Sequence, residues 1–222
     1  QEPEGSILNL IFFGPPGAGK GTQSALLIER LNMKHISTGD LFRAAIKNGT
    51  RLGTEAKTYL DAGKLVPDSI TIGLVDEVLQ TLDGKGFILD GFPRTVVQAE
   101  ALGGLLSRLS LKIDKSLFLE VPLDLLLGRL TGRRICKSCG TTYHIESKPP
   151  TTAGVCDKCS AAVVQRPDDC EEVIRTRLEA YEMSTKPLKD YYRAKGPFAV
   201  VDGTGSSEEV FSRIEQALKV KN

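Results

Sequence analysis

The sequence predicts an α/β fold in which a parallel sheet is flanked by helices. Short apolar runs alternate with segments of helical period along most of the 222 residues. The first apolar run ends in a glycine-rich turn that opens directly into a helical pattern. Two segments, 37–66 and 133–169, break the alternation and read as insertions.

The strand runs are 7–13 (ILNLIFF), 34–37 (KHIS), 86–90 (GFILD), 115–121 (KSLFLEV) and 198–201 (FAVV). Runs that are apolar throughout suit strands covered on both faces, as in parallel sheets. Helical patterns occupy 20–31, 95–109 and 122–132. Ligands of such sheets bind beyond the carboxyl ends of the strands. The loop after Phe13, the carboxylate of Asp90 and the turn after Val201 are therefore expected to meet in one crevice. Segment 37–66 reads as two helices, with Asp40 as the cap of "LFRAAIKN" and "RLGTEAKTYLDAG" following. Segment 133–169 is rich in Gly, Pro, Thr and Cys and reads as short strands and turns.

Composition is that of a globular protein, with 41% hydrophobic and 26% charged residues. A formal net charge of +1 gives no basic field for nucleic acid. No apolar run reaches the length of a membrane span, and no signal peptide is recognisable. All five cysteines fall between Cys136 and Cys170, which suggests a local metal site and a reducing, cytoplasmic setting. The opening QEPEGS takes no part in the fold prediction.

"GPPGAGKGTQ" carries most of the phosphate-loop pattern, through Gly14, Gly19 and Lys20. Glycines allow backbone N–H groups to turn toward an anion, and the helix that follows adds its positive end. Lys20 is the cation expected on a transferring phosphate. Gly21 stands where a magnesium-holding Ser or Thr belongs, and a hydroxyl appears only at Thr22.

Arg129 and Arg133 lie four residues apart and are placed on one face of a helix end. An anion between them, or solvation at a helix C-terminus, accounts equally well for the pair. Arg177 shares an inward stripe with Ile174, Leu178 and Tyr181, so it needs a partner: phosphate, or a carboxylate from elsewhere in the fold. Arg94 follows the strand that ends at Asp90, Arg43 lies in the first insertion and Arg166 in the second. Together they suit a polyphosphate, because planar guanidinium groups match phosphate oxygens.

Cys136-x-x-Cys139 and Cys156-x-x-Cys159 are separated by sixteen residues, the spacing of a four-thiolate zinc ribbon. Two disulfides or four free thiols are the alternatives, and the reducing setting favours zinc. Four protein ligands leave no open position, so the role expected is structural. Cys170 is read as a lone thiol, and His144 as a surface residue outside the metal site.

"GPPGAGKGTQ", "STGDLFRAAI", "GKLVPD", "LDGFPRTVVQA", "TGRRIC" and "RPDDCEEVIRTRL" resemble, in this order, the motifs of adenylate kinases of the long-lid, zinc-binding bacterial type. The resemblance runs from about Leu8 to the C-terminus. It implies the nucleoside monophosphate kinase form of the phosphate-loop fold and the reaction ATP + AMP = 2 ADP with magnesium. It implies a core of 1–36, 67–132 and 170–222, an AMP-binding domain of 37–66 and a zinc-ribbon-like lid of 133–169.

For ATP, the resemblance implies contacts from Gly17, Ala18, Gly19, Lys20, Gly21, Thr22, Arg129, Arg133, Thr142, Tyr143 and Gly205. For AMP, it implies Thr38, Arg43, Lys64, Leu65, Val66, Gly91, Phe92, Pro93, Arg94 and Gln98, with the amide of Gln98 on the adenine. Arg166 and Arg177 are implied on phosphates from the lid side. Catalysis is implied for Lys20, Asp90, Arg94, Arg133, Arg166 and Arg177. Glycine is the usual residue after the loop lysine in this family, so magnesium is held mainly by phosphates and by waters that Asp90 orients. The four cysteines are the implied zinc ligands, and a monomer is expected.

Two rival readings are weaker. A kinase of another monophosphate, or one using GTP, would keep the fold and change the pocket. A nucleic-acid-binding ribbon needs a basic, aromatic face, and 133–169 holds Tyr143 as its only Phe, Tyr or Trp. ATP, AMP and ADP are the expected partners, with neither nucleic acid nor membrane.

Overall fold

The computed structural model describes residues 8–219. In chain order it has β1 (Asn9–Phe13), α1 (Lys20–Leu31), β2 (Lys34–Ser37), α2 (Thr38–Lys47), α3 (Arg51–Asp61), α4 (Asp68–Leu79) and β3 (Phe87–Asp90). Then come α5 (Val96–Arg108), β4 (Lys115–Glu120), α6 (Leu123–Thr131), β5 (Arg133–Cys136), β6 (Thr142–His144) and β7 (Val163–Val164). A short turn at Pro167–Asp169 leads into α7 (Glu171–Ala180), α8 (Leu188–Lys195), β8 (Phe198–Asp202) and α9 (Ser207–Lys219). Ile7, assigned to the first strand from sequence, lies outside the described residues.

The main sheet has the order β2-β3-β1-β4-β8, and each neighbouring pair is parallel. The alternation inside β1 shows why its run is apolar throughout. Leu10 and Phe12 join a cluster with Leu27, Leu119, Phe211 and Ile214. Ile11 and Phe13 join another with Val75, Leu79, Leu102 and Leu188. Successive side chains leave a strand on opposite faces, so β1 is buried between two helical layers.

Two expectations about local structure are corrected. Asp40 does not cap α2; Ser37 does, its Oγ accepting from Asp40 N at 3.3 Å. A cap must stand before the first turn in extended backbone, and Ser37 does so at φ −107°. Arg133 is not on a helix with Arg129. α6 ends at Thr131, and Arg133 opens β5, paired opposite His144.

Residues 133–169 contain an antiparallel sheet, β6-β5-β7. Its buried centre is Cys136, Tyr143 and Cys156. After α7 the chain widens through one π-helical stretch, Tyr181–Thr185. Such insertions re-aim side chains, and here Thr185 Oγ1 donates to the carbonyl of Arg94 at 2.9 Å.

α2 and α3 touch through Gly53. A Cβ there would stand 2.3 Å from the backbone C and O of Ala45. Alanine normally favours a helix over glycine by about 1 kcal/mol, but this steric conflict reverses the sign. Gly53→Ala is expected to destabilise the protein by roughly 1–3 kcal/mol in urea denaturation. A gain in stability would show that the two helices part freely.

Candidate active site

The loop between β1 and α1 is built on glycine geometry. Gly14, Gly17 and Gly19 have φ of 146°, 81° and 99°. A Cβ on Gly17 would also meet Leu130 Cγ at 2.9 Å. Ala18 is buried in the core. Gly21 and Thr22 lie in the first turn of α1. A Cβ on Gly21 would come within 3.9 Å of Asp90 Oδ2. The position lacking a hydroxyl therefore faces the carboxylate at the end of β3.

A crevice of about 570 Å³ opens at the carboxyl ends of β1 and β3. Lys20, Leu65, Gly91, Pro93, Arg94 and Arg177 line it. An adjoining cleft of about 320 Å³ is lined by Thr38, Lys64, Leu65, Val66, Gly91, Arg94 and Gln98, with apolar walls from Phe42 and Leu60. Phe92 is fully buried in the core and lines neither space. The carbonyl of Gly91 accepts from Arg94 Nε at 2.8 Å and from Thr38 Oγ1 at 3.0 Å, which ties both spaces together.

Lys20 Nζ donates to the carbonyls of Gly14 and Pro15 at 2.9 and 3.0 Å. Its burial lowers the pKa to about 8, with Arg94, Arg177 and Arg133 adding to the fall and Asp90 opposing it. Burial also raises the cost of charge on Asp90, but His35 and Lys20 outweigh it and hold the carboxyl below its ordinary range. His35 Nε2 stands 3.2 Å from Asp90 Oδ2. Burial disfavours its imidazolium, yet the hydrogen bond to Asp90 leaves its pKa raised.

The arginines meet as a group. Arg94 falls to a pKa of about 10, through burial and then the field of Arg177. Arg166 also falls to about 10, through burial and then Arg43 and Arg133. Arg166 Nε is buried with no hydrogen-bond partner among the described residues. Arg43 reaches Asp40 across one turn of α2.

Carboxylates missing from the sequence-based list hold part of this charge. Asp169, 0% exposed, accepts from Arg133 Nε through Oδ2 at 2.8 Å and from Arg177 through Oδ1 at 3.0 Å. Asp168 adds its Oδ2 at 3.2 Å and its carbonyl at 2.9 Å from the same Arg177 nitrogen. Arg177 thus has carboxylate partners and also faces the crevice. The available signal was the adjacency of two aspartates to Arg166 in "RPDDC".

Arg129, Thr142, Tyr143 and Gly205 do not line the crevice. Arg129 donates to the carbonyl of Gly203 at 3.0 Å, at the end of β8, close in sequence to Gly205 with its φ of 97°. Tyr143 is 4% exposed and its hydroxyl lies 3.3 Å from Cys156 Sγ, so its side chain faces the cysteines. The amide of Gln98 is already engaged by Asp68 and Arg94.

The four Sγ atoms of Cys136, Cys139, Cys156 and Cys159 lie within 4.8 Å of one another. Two of the separations are 3.4 and 3.6 Å, near the ~3.8 Å edge of a tetrahedral four-thiolate zinc site. His144 stays outside this group; its Nε2 lies 3.2 Å from the carbonyl of Gly128. Cys170 is exposed at the start of α7.

Removing Asp169 leaves the Arg133 guanidinium without its buried counter-charge and Arg177 with Asp168 alone. Asp169→Asn is expected to lower unfolding free energy by about 3–5 kcal/mol in urea titration. A loss near the ~0–1 kcal/mol of an exposed pair would mean that solvent already screens the cluster.

Residues 12–197 match the family model described as adenylate kinase. An adenylate kinase of Carboxydothermus hydrogenoformans is 51% identical over 213 residues, covering 96% of this chain and 100% of the relative. Those of Syntrophobacter fumaroxidans and Thermodesulfovibrio yellowstonii are each 53% identical, over 95% and 96% of this chain and 100% of their own lengths. With Lys20, Arg94 and Arg177 gathered in the crevice and Asp90 opposite the loop at Gly21, the chain belongs to the adenylate kinase family, whose reaction is ATP + AMP = 2 ADP.

Proposed function

We propose that the crevice performs this transfer on magnesium-bound ATP and serves adenine nucleotide balance in the cytoplasm, the enzyme acting as a monomer. One observation carries the proposal. Lys20, Arg43, Arg94, Arg133, Arg166 and Arg177 feel one another's charge, and Arg166 Nε is buried without a partner. Such a cluster favours an anion beside the carboxylates that hold part of its charge, and a polyphosphate supplies oxygens for the guanidinium groups. Among the described residues no helix is long and apolar enough to cross a membrane.

In this reading the backbone of Gly17–Thr22 wraps the ATP phosphates and Lys20 meets the phosphoryl in transfer. Lys20 then exchanges its two loop carbonyls for phosphate oxygens, which restores the ammonium that burial disfavours. Asp90, an oxygen ligand beside Gly21, suits the waters of the substrate's magnesium. Thr38, Arg43, Lys64, Leu65, Val66, Gly91, Pro93, Arg94 and Gln98 receive AMP. Arg129 and Gly205 stand toward ATP from the end of β8, with Thr142 and the backbone of Tyr143. An AMP phosphate oxygen attacks the γ-phosphorus in line, and the arginines neutralise charge on the group in flight. Segments 37–66 and 133–169 close over the substrates as AMP-binding domain and lid, excluding water as a competing acceptor.

The cysteine cluster holds structural zinc in the same reading. The buried centre of 133–169 is small, built around Cys136, Tyr143 and Cys156 with Ala161 and Val163 against them. So few apolar contacts do not hold a segment of that length, and a metal supplies the missing cross-link.

The function is tested with MgATP and AMP, GMP, CMP or UMP in turn, on metal-replete protein. ADP is expected with AMP as acceptor. Turnover of another monophosphate instead would keep the transfer chemistry and overturn the AMP pocket, and turnover of none would overturn the enzyme reading.

Stripping the metal with a chelator is expected to lower Tm by roughly 5–10 °C, at about 2–4 °C per kcal/mol for a chain of this size. An unchanged Tm would remove the structural role of zinc.

A further inference from the structure

Gln98 is 2% exposed, and both ends of its side-chain amide are held. Nε2 donates to Asp68 Oδ1 at 2.7 Å, and Oε1 accepts from the backbone N–H of Arg94 at 2.8 Å. The two partners have opposite character: a carboxylate only accepts and a backbone N–H only donates. Turning the amide by 180° would set oxygen against carboxylate and N–H against N–H. Asp68 and Arg94 N together therefore permit one orientation of a group whose two orientations are otherwise nearly equal in shape.

We infer that Asp68 is a specificity-determining positioning residue, which locks the Gln98 amide in the sense that accepts a 6-aminopurine and rejects a 6-oxopurine. The inference rests on the proposed placement of the AMP base against Gln98. With one N–H and one lone pair engaged, the amide keeps one N–H and one lone pair for a ligand. A 6-aminopurine offers a ring-nitrogen acceptor beside an amino donor, which complements that pair. A 6-oxopurine offers a ring N–H beside a carbonyl, which is the reverse and fits only the flipped amide. The surrounding walls, Phe42, Leu60 and Leu65, accept either ring, so shape alone does not separate the two.

Asp68 also has a structural duty. As the first residue of α4 it lies 3.4 Å from Thr95 Oγ1, and that oxygen caps α5 by accepting from Gln98 N at 3.1 Å. A purely structural Asp68 would change stability and leave base choice alone, which makes the two roles separable.

The test compares kcat/KM for AMP and for IMP, with MgATP as donor, in the parent, Asp68→Asn, Asp68→Ala and Gln98→Ala. Melting temperatures are measured alongside. Asp68→Ala is expected to raise the IMP-to-AMP ratio on the order of tenfold, the size of one bidentate base contact, while Asp68→Asn, whose Oδ1 can still accept from Gln98 Nε2, is expected to keep the parent's ratio. Gln98→Ala is expected to erase most of the parent's preference. If Gln98→Ala erases the preference while Asp68→Ala keeps the parent's ratio and melts earlier, Asp68 is a structural tie only and the inference is overturned. If Gln98→Ala keeps the preference, the base does not sit on Gln98 and the underlying reading falls. A structure of the parent with AMP needs no variant: Asp68 Oδ1 must stay within hydrogen-bond distance of Gln98 Nε2, and a base or water between them would overturn the inference.

Discussion

Asp169 has no exposed surface, yet it accepts hydrogen bonds from Arg133 at the start of β5 and from Arg177 on α7. Much of the site depends on that contact. It brings the first residue of β5 and a residue of α7 to the same carboxylate, so the smaller sheet and α7 share a buried charge. Burying a guanidinium is unfavourable unless it is paired and hydrogen-bonded. Here six cationic side chains stand within one another's fields, against carboxylates at Asp40, Asp90, Asp168 and Asp169. The balance remains positive; burial is the first cause of the depressed pKa values of Lys20, Arg94 and Arg166, and neighbouring guanidinium groups add to it. A site under that tension is ready for an anion before any anion arrives, which is preorganisation in the electrostatic sense.

The glycines express a second constraint, close approach. Gly17 lies against Leu130, Gly53 against Ala45 and Gly21 opposite Asp90. Gly17 and Gly53 let neighbouring groups come nearer than a Cβ would permit, whereas a Cβ on Gly21 would only touch Asp90 at ordinary contact distance. The missing hydroxyl after the loop lysine is answered by what Gly21 faces. The position belongs to the approach between α1 and the end of β3, and the oxygen chemistry sits on Asp90.

Much of the fold was legible because it rests on local pattern. Apolar runs gave the strands, the glycine turn located the loop, and a break in the strand–helix alternation marked segments 37–66 and 133–169. The cysteine spacing was legible for the same reason, since short knuckles set their own geometry. The misreadings were also local. Asp40 lost the cap to Ser37 because only a residue in extended backbone can offer it. Arg133 left the helix because α6 stopped at Thr131 and the chain turned into a strand.

By itself, the sequence determined the α/β plan, the phosphate loop, the cysteine quartet and the motif order that marks the family. Those are properties of neighbours along the chain and of residue type. The tertiary structure alone decided which charges meet. Asp169 serves Arg133 across 36 residues, Gln98 meets Asp68 across 30, and His35 meets Asp90 across 55. It also decided that Phe92 and Tyr143 turn their rings into cores. No periodicity carries such pairings, because burial and charge compensation act between elements that become neighbours only when the sheet and its insertions have packed.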